Sequence, residues 1–163
     1  MEPLPKPDPS TILIVEDDKA IGKMCSELIQ SEGHKPTWAP DAESALLRIE
    51  DQLASGKPFD IIFLDLQLPG ISGTELCWKI RDEKSKIHSP STWIIAFTAH
   101  KDPKSILDTL SAGANDYLIK PASPELIKIK TTVARFAQAR MRGMQKRILL
   151  LEQALEKMAK NSA

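Results

Sequence analysis

Short apolar runs recur along the chain at positions 11–15, 59–64, 93–97 and 116–119, with a weaker candidate at 35–39. Most are near-continuous rather than alternating, the pattern of parallel strands covered on both faces. The segments between them repeat apolar residues at helical spacing: Ile21, Met24, Cys25 and Leu28, then Ala45, Leu46 and Ile49, then Leu76 and Ile80. Their ends carry stop and start signals. Asp41 predicts an N-cap, Gly33 and Gly56 fall just past helix ends, and Ser72 with Glu75 has capping-box spacing. Asp102-Pro103 and Ser123-Pro124 each place a polar cap before a proline at the first helical position, where its missing N–H costs nothing. Strand and helix alternate five times, which predicts an α/β open parallel sheet with right-handed crossovers and helices on both faces. No internal repeat is present.

Both flanks differ from this alternation. Pro3, Pro5, Pro7 and Pro9 predict an extended tail over residues 1–10. At the other end, Ala134, Ala137, Met141, Met144, Ile148, Leu151, Leu155 and Met158 keep a 4-3 apolar spacing for more than three heptads. That spacing predicts a helix extending past a compact unit at 11–137, with 138–163 as a coiled-coil or linker extension. A helix from Pro124 to Asn161 would be roughly 55 Å long at ~1.5 Å per residue. With Ile148 at an a position and Leu151 at d, a parallel homodimer is expected, in which Arg147 at g reaches Glu152 at e′ of the partner.

Composition narrows the class. Of 163 residues, 42% are hydrophobic and 27% charged, which fits one folded domain with an appendage. Lys plus Arg and Asp plus Glu both total 22, so no global field attracts nucleic acid or an anionic lipid surface, and neither is expected as a partner. Cys25 and Cys77 form neither a disulfide framework nor a metal pattern, and no apolar run approaches the ~20 residues that span a bilayer. The N-terminus lacks a basic region followed by an apolar one, so a reducing cytoplasm is expected.

In open α/β sheets, ligands bind beyond the carboxyl ends of the strands. Glu16, Asp17 and Asp18 follow the first apolar run, Asp65 follows that at 59–64, Thr98 that at 93–97, and Lys120 the last. Their convergence at one sheet edge would gather carboxylates, a hydroxyl and an ammonium, a set suited to a hard divalent cation and a phosphoryl group. Asp18 reads as the cap of the first helix.

Over residues 11–137 the chain resembles the response-regulator receiver family. The resemblance is carried by ILIVEDD at 12–18, IIFLDLQLPGISG at 61–73, FTAH at 97–100 and AGANDYLIKP at 112–121. It implies a flavodoxin-like, doubly wound (βα)5 fold of strand order 2-1-3-4-5. It further implies Asp65 as phosphoacceptor and Mg²⁺ as cofactor. Asp17 and Asp65 would then be metal ligands with the backbone carbonyl of Gln67, and Glu16 would act through water. Thr98 and Lys120 would bind the phosphoryl group, Tyr117 would be the aromatic switch, and Lys120-Pro121 would be a cis peptide. The implied partner is a histidine kinase or a histidine phosphotransfer protein. Gln67 and His100 are expected to flank the water that hydrolyses the acyl phosphate.

Simpler readings exist for each residue alone: a helix cap for the acidic run, a turn for Asp65 before Pro69-Gly70, a core aromatic for Tyr117. Cys25 and Cys77 read as packed residues on helices that cover opposite sheet faces, and His34 and His88 as solvated residues in polar connections. A haloacid-dehalogenase-like phosphatase also uses an aspartate nucleophile and Mg²⁺, but needs an acid two residues later, where this chain has Gln67, an amide that cannot deliver a proton. A flavin binder needs a glycine-rich phosphate loop after the first strand, where acids stand here. The expectation is a phosphoacceptor with slow self-dephosphorylation, not a turnover enzyme, either acting alone or as the receiver portion of a longer protein.

Overall fold

The computed structural model describes residues 8–161. The elements, in chain order, are β1 (Thr11–Val15), α1 (Lys19–Ser31), β2 (Lys35–Ala39), α2 (Ala42–Ala54), β3 (Ile61–Asp65), α3 (Gly73–Arg81), β4 (Trp93–Thr98), α4 (Pro103–Ser111), β5 (Asp116–Ile119) and α5 (Pro124–Asn161). The strands form one parallel sheet of order β2-β1-β3-β4-β5. This is the doubly wound, flavodoxin-like arrangement that the alternating pattern and the motifs predicted.

β3 and β4 both run one residue beyond the apolar runs that announced them. Asp65 still pairs with Phe97, and Thr98 with Ile119, because a ladder is made by backbone groups whatever the side chain. The first helices start where their caps predicted. Asp18 Oδ1 accepts from the N–H groups of Ala20 and Ile21 at 2.8 and 3.1 Å, and Asp41, Ser72 and Asp102 each accept an N–H three residues on.

Side-chain alternation divides the core into two layers. Leu13, Val15, Ile62, Leu64, Ile94 and Ala96 face α2 and α3, whereas Ile12, Ile14, Ile61, Phe63, Ile95 and Phe97 face α1 and α5. Each such Leu, Ile, Val or Phe side chain, fully buried, contributes about 1.5–3 kcal/mol relative to exposure. Cys77 lies in the first layer and Cys25 in the second, as expected, and burial pushes both thiols up to about 11. Such thiols stay protonated and unreactive. By contrast, α4 buries only Thr109 and leaves Leu107 exposed, so it is held loosely by its apolar face.

The tail expected at 1–10 lies, up to residue 7, outside the described residues. Ser10 already belongs to the fold: it is buried, its carbonyl accepts from Lys35 N–H, and its N–H donates to His34 Nδ1 at 3.3 Å. His34 is therefore not solvated, as its polar neighbours predicted, but covered by this segment and by α5. His88 is half-buried too, with an Nδ1 that meets no partner.

α5 covers the sheet with Ile127 and Ala134, so Ala134 is spent on the domain's own core and does not start an intermolecular seam. Gln138 is buried and donates to the carbonyls of Asp60 and Ser91, and Arg142 pairs with the Asp60 carboxylate. Beyond Arg142 the helix runs on with every residue to Lys160 exposed, including Ile148, Leu151 and Leu155.

Burial holds the His34 imidazole below its ordinary value of 6.5, aided by the Arg135 charge and opposed by Glu32 and Asp60. The unfolded chain then binds a proton more readily than the folded one. The stability His34 contributes is present above about pH 6.5 and is lost as pH falls through the lower folded-state value. Denaturant titrations across this range should show a steeper loss in the wild type than in His34→Asn. Parallel curves would exclude the effect.

Candidate functional site

The carboxyl edge of the sheet receives groups from four strands. Glu16 follows β1 and is only 1% exposed, whereas Asp17 next to it is exposed. Asp65 ends β3 and Thr98 ends β4, at 4% and 2% exposure, and Lys120 follows β5. The Lys120-Pro121 peptide is cis, as the resemblance implied.

Lys120 Nζ lies 2.7 Å from Glu16 Oε2 and 2.7 Å from Asp65 Oδ2, so one ammonium is shared by two buried acids. It also sits 4.8 Å from the centre of the Phe97 ring, whose face attracts a cation. Burial disfavours the charged Lys120, but its hydrogen bonds to Asp65 and Glu16, with their charges, outweigh this and hold it above the ordinary lysine value. Burial likewise raises the Glu16 carboxyl; Lys120 opposes the shift, while the Asp65 charge reinforces it. The cluster thus holds more negative charge than Lys120 can balance.

Carboxylate oxygens of Glu16, Asp17 and Asp65 lie within 4.8 Å of one another, with Lys120 the one cation shared by the two buried acids. A hard divalent cation fits such a set: it takes oxygen ligands and supplies the missing positive charge. The other Asp65 oxygen, Oδ1, accepts the Gln67 N–H at 2.8 Å, so the loop after β3 turns back over the acid. Thr98 Oγ1 accepts the His100 N–H at 3.0 Å, and the Gln67 and His100 side chains meet at 2.9 Å across the mouth. Tyr117 stands apart from these groups. Its half-buried ring packs against the α2–α3 layer with Lys130 Nζ 5.7 Å from its centre, and Lys130 in turn pairs with Asp116.

Two supports escaped the sequence reading. Gly73 lies so close to the β3 end that a Cβ there would fall 2.0 Å from the Asp65 carbonyl oxygen, so no side chain fits at this position. Trp38 on β2 donates its indole N–H to the Glu16 carbonyl at 2.8 Å. Gly73 stands inside a quoted motif and could have been flagged there. Trp38 carries no signal, because a half-buried aromatic in an edge strand reads as packing.

Comparison with known proteins agrees with this geometry. Residues 12–132 match the response regulator receiver domain family. The chain is 36% identical over 114 residues to the transcriptional regulatory protein YrkP of Bacillus subtilis, covering 70% of this chain and 44% of that protein. It is 29% identical over 153 residues to a cyclic di-GMP phosphodiesterase of Thermotoga maritima, covering 90% of this chain and 38% of that protein. The chain therefore spans less than half the length of either relative. A receiver domain protein of Methanospirillum hungatei superposes with a TM-score of 0.71 at 28% identity, over 82% of this chain and 99% of its own. With the sheet order, the shared ammonium and the family match in agreement, the chain belongs to the response regulator receiver domain family.

Proposed function

We propose that this chain takes a phosphoryl group onto Asp65 from a phosphohistidine donor, and that the modification changes what the domain binds. Receiver domains act in two-component systems with histidine kinases or phosphotransfer proteins and bind Mg²⁺. The observation that carries the reading is the Lys120 ammonium shared at 2.7 Å between Glu16 and Asp65, beside the exposed Asp17.

Asp17, Asp65 and the Gln67 carbonyl would hold the metal, with Glu16 acting through water. Mg²⁺ when bound would neutralise the incoming phosphoryl oxygens and favour in-line displacement. The remaining steps belong to side chains. An Asp65 oxygen forms the new P–O bond as the donor's P–N bond breaks, and the leaving imidazole nitrogen keeps the electron pair. Lys120 then exchanges a carboxylate contact for a phosphoryl oxygen. Thr98, which accepts from His100 and keeps its own proton, donates that proton to another phosphoryl oxygen. Movement of Thr98 opens space for Tyr117, a population shift read out on α4, β5 and α5. That surface already exposes Leu107, Ile129 and Val133. Gln67 and His100, whose side chains meet at 2.9 Å, would flank the hydrolytic water and so tune the lifetime of the acyl phosphate. Gln67, two residues after Asp65, is an amide that cannot deliver a proton to a leaving group, which supports a slowly self-dephosphorylating acceptor.

The extension of α5 pairs two copies. Ile148, Leu151 and Leu155 are 54%, 64% and 65% exposed at heptad spacing, and in a parallel pair Arg147 at g would meet Glu152 at e′ of the partner. A longer protein with an effector after this helix would use the same pairing. Among the described residues no helix is long and apolar enough to cross a membrane, and a cytoplasmic setting suits phosphohistidine donors.

Intact-mass measurement with a small phosphodonor should show one added phosphoryl group, lost with EDTA and in Asp65→Asn. Full labelling of the variant would refute the assignment. In metal-free buffer, Asp17→Asn should raise stability by up to about 1 kcal/mol, because a like charge has left the cluster, while the gain on adding Mg²⁺ shrinks. A loss of metal-free stability would count against crowded charge. In light scattering, Leu151→Asp should turn a dimer into a monomer with Asp65 labelling intact; a wild-type chain monomeric with and without phosphodonor would rule out the pairing.

A further inference from the structure

The acidic pair Glu16 and Asp17 lies just past the last rung of the β1–β2 ladder, which ends with Val15 opposite Ala39. Glu16 N–H still reaches the Ala39 carbonyl at 3.0 Å, but its own carbonyl has no strand amide to accept from. A buried carbonyl left unpaired is costly. The missing donor is a side chain: the indole Nε1–H of Trp38, at 2.8 Å. A peptide unit is planar, so fixing the Glu16 carbonyl also fixes the following N–H and the direction in which Asp17 leaves β1. The indole is itself seated against α1. A Cβ at Gly22 would lie 2.4 Å from Trp38 Nε1 and 2.8 Å from its Cδ1, so only glycine leaves the ring room. Trp38, Gly22 and the Glu16 carbonyl therefore form one contact between β2, α1 and the acidic edge.

We propose that Trp38 is a positioning residue for the divalent-cation site, acting through the peptide between Glu16 and Asp17, and that Gly22 is required because it admits the indole. The proposal rests on the reading that Glu16, Asp17 and Asp65 bind Mg²⁺. A residue one step behind metal ligands typically changes metal affinity by ten- to a hundredfold when its hydrogen bond is removed, and the indole acts at the lower end because it holds backbone rather than a ligand atom.

The test is Mg²⁺ titration of the full chain by calorimetry, with thermal melts in EDTA and ¹⁵N spectra in parallel. Trp38→Phe keeps an aromatic ring and removes the N–H; Gly22→Ala keeps the indole N–H in the chain but pushes the ring from its seat against α1. Each should weaken Mg²⁺ binding roughly tenfold, and Gly22→Ala should add little further loss in the Trp38→Phe background, where the N–H is already gone. In the wild type the Trp38 indole proton should shift on adding Mg²⁺, while those of Trp78 and Trp93 stay in place. Dissociation constants for both variants within about twofold of wild type would overturn the proposal. So would melts in EDTA that fall while Mg²⁺ affinity is unchanged, or an indole resonance indifferent to Mg²⁺. Failure of the wild type itself to bind Mg²⁺ would instead overturn the metal-site reading.

Discussion

Crowded negative charge at the carboxyl edge of the sheet is the constraint on which the site depends. Two buried acids and one exposed acid meet there, and a single ammonium, 2.7 Å from each of the buried two, holds them together. In a partly desolvated pocket, opposite charges at such distances attract strongly and like charges repel with similar strength. The balance survives only while β1, β3 and β5 end level with one another. A slip of one residue in any strand would turn its acid or base to the other face of the sheet. Buried runs of Ile, Leu, Val and Phe, sorted into two layers, make that slip expensive.

The opposite end of β3 carries a second set of constraints. Asp60, just before the strand, accepts the N–H and hydroxyl of Thr11 on one carboxylate oxygen and pairs with Arg142 of α5 through the other. Its carbonyl receives Trp93 N–H and the Gln138 amide. The strand that presents Asp65 at one end thus pins α5 at the other, and the helix leaves the domain from a fixed point. Arg81 performs a comparable service at the end of α3, donating to the carbonyls of Ser89, Thr92 and Gly113 and to the Asn115 side chain. These polar clamps hold connections that have too little apolar surface to pack by themselves.

How much of this was legible along the chain depended on how local the signal is. Element order, helix caps and the two-layer core rest on periodicity and on residues within a few positions of one another, and Asp18, Asp41, Ser72 and Asp102 all cap the helices their positions announced. The groups now gathered at the site were legible too, because a parallel sheet delivers whatever follows its strands to one edge. The apolar runs stop one residue short of the ladder ends at Asp65 and Thr98, since hydrophobicity marks what is buried and not what is hydrogen-bonded.

Burial by distant segments was illegible. His34 lies among polar neighbours, and only the approach of Ser10 and α5 covers it. Ala134 fits a heptad as well as Leu151 does, yet one is buried on its own sheet and the other stands in solvent, because α5 outruns the domain beyond Arg142. The sequence by itself determined the fold class, the identity of the acids and the lysine, and the amphipathic character of the long helix, all properties of residue type and spacing. Tertiary structure alone decided that one ammonium bridges Glu16 and Asp65, that Trp38 closes the β1 end, and where α5 leaves the core, since each depends on distances between residues far apart in the chain.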